Sequence, residues 1–156
     1  MGAGLGLAAA CDLRIASETA TFGTAFVRMG YSGDYGVSYF LTHLLGPTKA
    51  RELLFLGDRF DAAEAQRLGL VNRVVADSEL EPQTMQLARR LASGPRVAYR
   101  YMKENIDAAL HLPIAKAFDV EALHQTLAGL TDDHREAVLA FVEKRQAKLL
   151  PVRLVH

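Results

Sequence analysis

Residues 2–6 read GAGLG and residues 30–36 read GYSGDYG, and each of these glycine-rich turns runs directly into an apolar stretch. Such turns predict the start of a helix, where the first backbone N–H groups have no intrahelical partner. A helix start carries roughly half a positive charge and suits an anion or a polarised carbonyl oxygen. Each turn taken alone is better explained as a turn that allows close helix packing. Because the second turn also carries Asp34, the pair together indicates a binding or catalytic site.

The composition is that of an ordinary globular protein. The chain has 156 residues, of which 50% are hydrophobic, and its formal net charge at pH 7 is zero. This length is enough for one domain with a core, or for part of a larger domain. The even charge balance gives no reason to expect nucleic acid or an anionic membrane surface as a partner.

The sequence also limits the chemistry that the chain can carry. The single cysteine, Cys11, lies in an apolar run and cannot form an internal disulfide, which fits a reducing cytosol and a buried, inert thiol. No group of His, Cys and carboxylate residues has the spacing of a zinc or iron site, so we assign no metal. The N-terminus has no basic region before an apolar stretch, and no run approaches the ~20 apolar residues of a membrane span. We therefore expect a cytoplasmic protein.

Hydrophobic periodicity and capping patterns predict an α/β fold class with a helical tail. The predicted helices cover residues 5–11, 34–45, 49–56, 61–68, 80–91, 97–111, 114–129 and 132–149, and the predicted strands cover residues 12–16, 21–22 and 71–75. The first helix has no polar side, so we expect it to be packed all round. Asp61 and Ser78 are each followed three residues later by a glutamate, which predicts two helix N-caps.

Two Gly-Pro pairs divide the chain further. Gly46-Pro47 is predicted to end one helix and start the next, with the glycine past one end and the proline in the first turn of the other. Gly94-Pro95 is predicted to separate an α/β part, residues 1–94, from a helical region, residues 95–156. Residues 24–33 show no clear periodicity and are predicted to form a loop.

Several short motifs occur in a fixed order along the chain. They are GAGLGLAAACDLRIA at residues 2–16, ATFG at 20–23, GLVNRVV at 69–75, TDD at 131–133 and AFVEKR at 140–145. This ordered set resembles the crotonase superfamily, the enoyl-CoA hydratases and isomerases. The resemblance implies a crotonase-like spiral of ββα turns over residues 1–94, with its N-terminal strands missing, and an all-helical C-terminal trimerisation region over residues 95–156. It also implies that residue 1 lies well inside the family's domain, so that roughly the first two-fifths of the usual chain is absent.

The resemblance implies an acyl-CoA enzyme that polarises a thioester carbonyl with two backbone N–H donors. One donor is the N–H of Ala3, beside Gly2 and Gly4 in the substrate-binding turn, and the other lies in the missing part of the chain. Hydratases of this family carry two glutamates, and the matching positions here are Gly6 and Phe26. Because neither residue can transfer a proton, hydration by the two-glutamate route is not expected.

Asp34 is the carboxylate that the resemblance matches to the active site. Some dienoyl-CoA isomerases, ring-epoxide isomerases and aryl-CoA dehalogenases of the superfamily have an active aspartate here, so Asp34 is predicted to exchange a proton or to attack an aromatic ring. From the residues alone, Asp34 is better explained as a helix N-cap. Tyr31 and Tyr35 could donate hydroxyl groups to a substrate, and Phe26 would make the pocket apolar and help to desolvate Asp34.

Phe141 and Lys144 are spaced at i and i+3 and are predicted to share one helix face. In the resembled family, the corresponding residues lie beside the CoA of an adjacent subunit, although core packing of Phe141 and solvation of Lys144 explain the pair about equally well. The resemblance implies an acyl-CoA thioester as partner, no cofactor beyond the CoA of the substrate, and a homotrimer or hexamer. The histidines on the predicted helices are expected to be solvated or structural: His43, His111, His124 and His134.

Two classes of function stay open at this point. One is an acyl-CoA enzyme that performs isomerase-like proton transfer through Asp34. The other is a non-catalytic, truncated crotonase remnant, and an ordinary enoyl-CoA hydratase in fatty-acid degradation is a further alternative for a full-length form. No residue of the sequence identifies the acyl group.

Overall fold

The computed structural model describes residues 1–149, which are mostly helical. The helices are α1 (Ala3–Ala10), α2 (Val37–Leu56), α3 (Ala62–Arg67), α4 (Leu80–Ala92), α5 (Arg96–His111), α6 (Ile114–Gly129) and α7 (Asp132–Val142). The strands are β1 (Ile15–Ser17), β2 (Thr21–Phe22), β3 (Phe60–Asp61) and β4 (Arg73–Val75). Short 3₁₀ turns cover Phe26–Met29 and Asp77–Glu79. Within this described part, no helix is both long and apolar enough to cross a bilayer.

The chain divides into two compact units, Met1–Gln86 and a second unit that starts at Leu87. The division falls inside α4, whereas Gly94-Pro95 lies between α4 and α5. The predicted domain boundary at residue 94 therefore stays a prediction.

In the first unit, α1 buries the side that faces α2. Leu5 and Ala9 are buried, and Leu5 shares a core cluster with Val37 and Leu41 of α2, while Leu7 is 57% exposed. The prediction that α1 is packed all round is therefore wrong. Its residues are small and apolar on every side, but the described chain covers only one of those sides.

Cys11 follows α1 directly and is exposed, so the prediction of a buried thiol is also wrong. Its Sγ donates to the Leu7 carbonyl at 3.5 Å, inside the last turn of its own helix. Because α1 ends at Ala10, Cys11 lies beyond the buried face of the helix.

α2 consists of two helical segments joined at Gly46-Pro47. Gly46 has φ 77° and ψ 162°, outside the helical region, and Pro47 starts the second segment, as predicted. The helix ends at Gly57, which has φ 63° and donates to the Leu53 carbonyl at 3.1 Å. The fully buried hydroxyl of Thr24 donates to the same carbonyl at 2.8 Å, so the loop after β2 is held against the end of α2.

Four short strands form two pairs in the first unit. β1 and β4 are parallel, with Ile15 opposite Arg73, and β2 and β3 are antiparallel, with Phe22 opposite Phe60. The two phenylalanine rings stack with centroids 5.7 Å apart. The buried core under these strands is apolar and small: Leu5, Ala16, Val37, Leu41, Ala50, Ala62, Ala65, Leu70 and Val71.

Arg14 ties the end of α1 to the start of β4. Its backbone N–H donates to the Asn72 side-chain oxygen at 2.8 Å, and the Asn72 N–H donates to the Arg14 carbonyl at 2.9 Å. The guanidinium donates to the Leu70 carbonyl at 2.5 Å and to the Cys11 carbonyl at the end of α1. Burial lowers the pKa of this guanidinium. A cation here also stabilises the helix end, where carbonyls lack intrahelical partners.

One of the two predicted N-caps is confirmed. The Asp61 carboxylate accepts the Glu64 N–H at 2.8 Å and caps α3. Ser78 caps no helix, because it lies inside the 3₁₀ turn that precedes α4. The neighbouring Asp77 instead accepts hydrogen bonds from the hydroxyls of Ser17 and Thr19, with the Thr19 bond at 2.8 Å.

In the second unit, His124 of α6 joins α6 to α5. Its Nδ1 lies 2.5 Å from the Asn105 side-chain oxygen, and its Nε2 lies 3.2 Å from Glu104 Oε2. The imidazole ring also stacks on Tyr101, with centroids 4.4 Å apart. Because the side chain is only 13% exposed, His124 has the structural role that was expected of it.

α7 is shorter than predicted. Thr131 caps its start, but the helix ends at Val142 instead of continuing to residue 149. Beyond it, the Arg145 guanidinium folds back onto the Glu136 carboxylate at 2.6 Å, and the Lys148 N–H donates to the same carboxylate at 2.8 Å. These bonds hold the chain after Val142 against α7, so that it turns back instead of extending the helix.

This fold-back should depend on pH through Glu136. Hydrogen bonds from Arg145 and from the Lys148 N–H lower the pKa of Glu136 from 4.5 to about 2. A carboxylate with a lowered folded-state pKa stabilises the folded state fully above its unfolded pKa and loses that effect as pH falls toward the folded pKa. We therefore expect residues 143–148 to detach progressively as pH falls from 4.5 to about 2, measured by hydrogen exchange of the Lys148 amide.

The matched pair Glu136→Gln and Glu143→Gln tests this assignment. Glu136→Gln should speed exchange of the Lys148 amide already at neutral pH, because the charged acceptor is gone. Glu143→Gln removes a second carboxylate that contacts Arg145 but leaves both bonds of Glu136, so Lys148 should stay protected. Wild-type protection of Lys148 in Glu136→Gln would contradict the prediction.

Candidate active site

The first glycine turn leads into α1 through a conformation that suits glycine. Gly2 has φ 55° and ψ −127°, and its N–H donates to the Gly23 carbonyl at 2.9 Å, which fixes the turn against the end of β2. The Gly2 carbonyl accepts the N–H groups of Leu5 and Gly6, which are the first bonds of the helix. The N–H group of Ala3 precedes this ladder and therefore has no intrahelical acceptor.

The second glycine turn holds Asp34 outside α2. α2 begins at Val37, and its N-cap is Gly36, which makes no side-chain capping bond. The interpretation of Asp34 as the N-cap is therefore wrong. Its Oδ1 instead accepts the N–H of Tyr35 at 2.7 Å, and its carbonyl accepts the Val37 N–H at 3.1 Å. This arrangement requires left-handed backbone at Tyr35 (φ 51°) and Gly36 (φ 68°).

The two turns meet at Gly6. A Cβ at Gly6 would lie 2.9 Å from the Tyr35 carbonyl oxygen and 3.4 Å from the Asp34 carbonyl oxygen. The backbone of the second turn therefore rests directly on the unsubstituted Cα of α1. Ala3 lies one turn before Gly6 in α1. The structure thus places the backbone of Asp34 and Tyr35 against the same helix that begins at Ala3.

Phe26 lies in a 3₁₀ turn where a plain loop was predicted. Ala25 precedes this turn in left-handed conformation (φ 59°), and the Phe26 carbonyl accepts the Tyr31 N–H at 3.0 Å. The Phe26 side chain is half-buried against the core of the first unit. In the described chain Asp34 is exposed, so the expected desolvation of its carboxylate by Phe26 is absent.

The remaining predicted site residues of the first unit are open to solvent. Tyr31 is 65% exposed and Tyr35 is 55% exposed, and Gly4 is exposed beside Ala3. Sequence reasoning missed the Tyr35 backbone N–H as the partner of Asp34, since tyrosine gives no signal for left-handed backbone. Among the described residues, no group of His, Cys, Asp and Glu could hold a metal ion.

Phe141 and Lys144 belong to the second unit. Phe141 is in the last turn of α7 and is 86% exposed, whereas Lys144 lies past the helix end with φ 54°. The prediction that they share a helix face is therefore wrong, because the left-handed residue turns the chain away from the helix. The Lys144 N–H still donates to the Phe141 carbonyl at 3.2 Å, so the two residues remain adjacent.

Comparison with known proteins identifies the family of the chain. The family described as enoyl-CoA hydratase/isomerase matches residues 1–149. A crotonyl-CoA hydratase of Syntrophomonas wolfei is 37% identical over 150 residues, which are 96% of this chain and 58% of that protein. A short-chain-enoyl-CoA hydratase of Clostridioides difficile is 40% identical over 138 residues, which are 88% of this chain and 89% of that protein.

The fold is likewise similar to solved structures. The crystal structure of an enoyl-CoA hydratase from Geobacillus kaustophilus superposes with a TM-score of 0.91 at 39% identity, covering 97% of this chain and 59% of that one. The chain thus spans little more than half the length of several proteins that it matches. With a family match over nearly its whole length and a shared crotonase-like fold, the chain belongs to the enoyl-CoA hydratase/isomerase family.

Proposed function

We propose that the chain is part of an acyl-CoA enzyme that moves a proton by means of Asp34. The contact between Gly6 and the Asp34–Tyr35 backbone carries this proposal, because it packs the residue that bears the carboxylate against the helix that begins at Ala3. An oxygen-binding donor and a base on one side of a helix start can act on one acyl group. The substrate is then an acyl-CoA thioester, and CoA enters only as part of that substrate.

In this proposal the Ala3 N–H donates to the thioester carbonyl oxygen. The positive end of the α1 dipole adds to the effect at the same point. Such a donor stabilises the enolate-like charge that develops on the oxygen, and losing one donor of this kind typically costs about 3–4 kcal/mol of barrier. Gly2 and Gly4 flank Ala3 and keep the approach to its N–H free of side chains.

Asp34 acts as the base. The Tyr35 N–H engages Oδ1 at 2.7 Å, which leaves Oδ2 to take a proton from a carbon next to the polarised carbonyl. The electron pair of the broken C–H bond moves into the enolate, whose oxygen the Ala3 N–H holds. Asp34 then returns the proton to a different carbon and the double bond has migrated, with no water or redox cofactor consumed.

Hydration is the second candidate, and the names of the relatives favour it. Crotonyl-CoA hydratase and short-chain-enoyl-CoA hydratase are names for enzymes that hydrate enoyl-CoA. In a full-length form, a carboxylate from outside residues 1–156 would have to take part, since Gly6 and Phe26 offer none. A non-catalytic remnant is the less favoured alternative, because these relatives are named as enzymes.

We further propose that Phe141 and Lys144 lie beside the CoA bound by an adjacent subunit, and that the protein is a cytoplasmic homotrimer or hexamer. The ammonium group of Lys144 would pair with CoA phosphate, and the exposed Phe141 ring offers an apolar surface. Tyr31 and Tyr35 are exposed in the same glycine-rich turn as Asp34 and would contact the acyl group.

The 156-residue chain by itself should not turn over enoyl-CoA substrates at a useful rate. The family's second oxyanion donor is assigned to a part outside this chain, and the short strand pairs leave open sheet edges. The measurement is a steady-state assay of the purified chain with short-chain enoyl-CoA against a buffer blank. Saturable activity clearly above the blank would refute this expectation.

The second unit should self-associate through α7. Val138, Phe141 and Val142 are 46%, 86% and 73% exposed, and burying such apolar surface gains roughly 25 cal/mol per Å². Light scattering at micromolar concentration should report an oligomer. Phe141→Ser should shift the mass toward the monomer, whereas Phe118→Ser, which removes an exposed phenylalanine from α6, should not. A monomeric wild-type chain would argue against the proposal.

In a full-length form, with the missing family segment joined ahead of residue 1, Asp34→Asn should remove most turnover and leave acyl-CoA binding nearly intact. Asparagine keeps the size and an acceptor oxygen for the Tyr35 N–H, so the turn should survive. It cannot accept a proton at neutral pH, so a general-base contribution of about 10²–10⁴-fold should vanish. Turnover and dissociation constants for a 3-enoyl-CoA provide the measurement.

The control for this substitution is Asp119→Asn, an identical chemical change at an exposed residue of α6. It should leave both turnover and binding as in the parent. Two results would overturn the role of Asp34: parent-like turnover by Asp34→Asn, or fast hydration of a simple enoyl-CoA by the parent enzyme. The second result would mean that a carboxylate from the joined segment performs the chemistry.

A further inference from the structure

Gly6 is the buried residue of α1 on which the second glycine turn rests. A Cβ added there would lie 2.9 Å from the Tyr35 carbonyl oxygen, 3.0 Å from Tyr35 Cβ and 3.4 Å from the Asp34 carbonyl oxygen. The atoms in the way belong to the backbone or lie next to it, so no flexible side-chain end can move aside. Even a methyl group at position 6 therefore forces the turn to shift.

The peptide bond between Asp34 and Tyr35 connects this contact to the carboxylate. Its oxygen would lie 3.4 Å from a Cβ at Gly6 and accepts the Val37 N–H at 3.1 Å, while its N–H donates to Asp34 Oδ1 at 2.7 Å. The two atoms closest to the added carbon, the carbonyl oxygen and Cβ of Tyr35, belong to the same residue as that N–H. A peptide unit is a rigid plane. When Tyr35 is displaced, its N–H moves with it, and the carboxylate oxygen bonded to that N–H loses its alignment.

The turn has little freedom to absorb such a displacement elsewhere. Tyr35 and Gly36 both have left-handed backbone, which a tyrosine adopts only when its surroundings hold it there. The turn is also anchored on both sides, because Leu5 next to Gly6 and Val37 after Gly36 are buried in the same core. The plane of the Asp34–Tyr35 peptide therefore depends on the fit of Tyr35 to Gly6.

We propose that Gly6 is a positioning residue for Asp34: its bare Cα seats Tyr35 and with it the Asp34–Tyr35 peptide, whose N–H orients the carboxylate toward the substrate at the start of α1. The catalytic consequence rests on the proposed function of Asp34, whereas the seating of the peptide does not. If Gly6 merely allowed α1 and α2 to pack, its replacement would loosen the core and the turn together. If Gly6 positions Asp34, its replacement would loosen the turn alone, and hydrogen exchange distinguishes these two outcomes.

The first test uses the 156-residue chain and needs no turnover. In Gly6→Ala, hydrogen exchange of the Tyr35 amide should become at least about tenfold faster, while the Leu41 amide in the core of α2 changes by less than about twofold. Gly4→Ala is the matched structural control, because it makes the same change two residues earlier in α1 with nothing within 4 Å of the added carbon. It should leave the Tyr35 amide protected.

The second test measures catalysis in the full-length form used for Asp34→Asn. Misplacing a catalytic group by a fraction of an ångström lowers the rate of the chemical step, so kcat of Gly6→Ala should fall roughly tenfold with KM within about twofold of the parent. Gly129→Ala is the control for activity, since a carbon added at that helical glycine of α6 also meets nothing within 4 Å. Both kinetic constants should stay at parental values in this control.

The outcomes of these two tests support or overturn the positioning role of Gly6. A protected Tyr35 amide in Gly6→Ala overturns it, and so does equal loss of protection at Tyr35 and Leu41, which would make Gly6 a residue of the core alone. A freed Tyr35 amide with an intact core and a fall in kcat supports it. If the amide is freed but Asp34→Asn retains parental turnover, the seating is supported and the proposed chemistry of Asp34 has failed.

Discussion

One close contact, between the bare Cα of Gly6 and the backbone at Asp34–Tyr35, limits how the second glycine-rich turn can pack on α1. It joins two turns that are well separated along the chain, and closing the loop between them costs conformational entropy. The burial of Leu5, Val37 and Leu41 beside the contact offsets that cost, at about 1.5–3 kcal/mol for each large side chain. The apolar core and the candidate site therefore adjoin at this contact.

Most of the helical fold could be predicted from the sequence because its signals are local. The break at Gly46-Pro47, the stop at Gly57 and the Asp61 cap depend only on residues within a few positions, and all three are confirmed. The failures occur where a more distant residue decides the structure. Asp77 bonds to hydroxyls of the β1 region, and Arg145 folds back to a carboxylate nine residues earlier. Neither contact can be predicted from the residues that lie next to Asp77 or Arg145 in the sequence.

Only part of the candidate site could be predicted from the sequence, again because residues distant in the chain determine the rest. Residue type reveals the glycine turns and Asp34, but a carboxylate before an apolar helix is the usual mark of an N-cap. Here Gly36 starts the helix, and the carboxylate bonds instead to the Tyr35 N–H. The fit at Gly6 was not predictable either. A glycine needed for its backbone angles and a glycine needed for its missing Cβ look alike in sequence, and only the approach of another segment separates them.

The missing Cβ at position 6 also bears on which reaction the proposed site can perform. Adding water to a double bond requires one group to activate the water and another to protonate carbon, whereas double-bond migration requires a single base that takes and returns one proton. The Asp34–Tyr35 backbone fills the space that any side chain at position 6 would need, so a second acid has no room there. Phe26 is half-buried against the core and adds no carboxylate. At position 6 the contact therefore leaves no room for a second carboxylate, which is compatible with the single-base reaction proposed for Asp34.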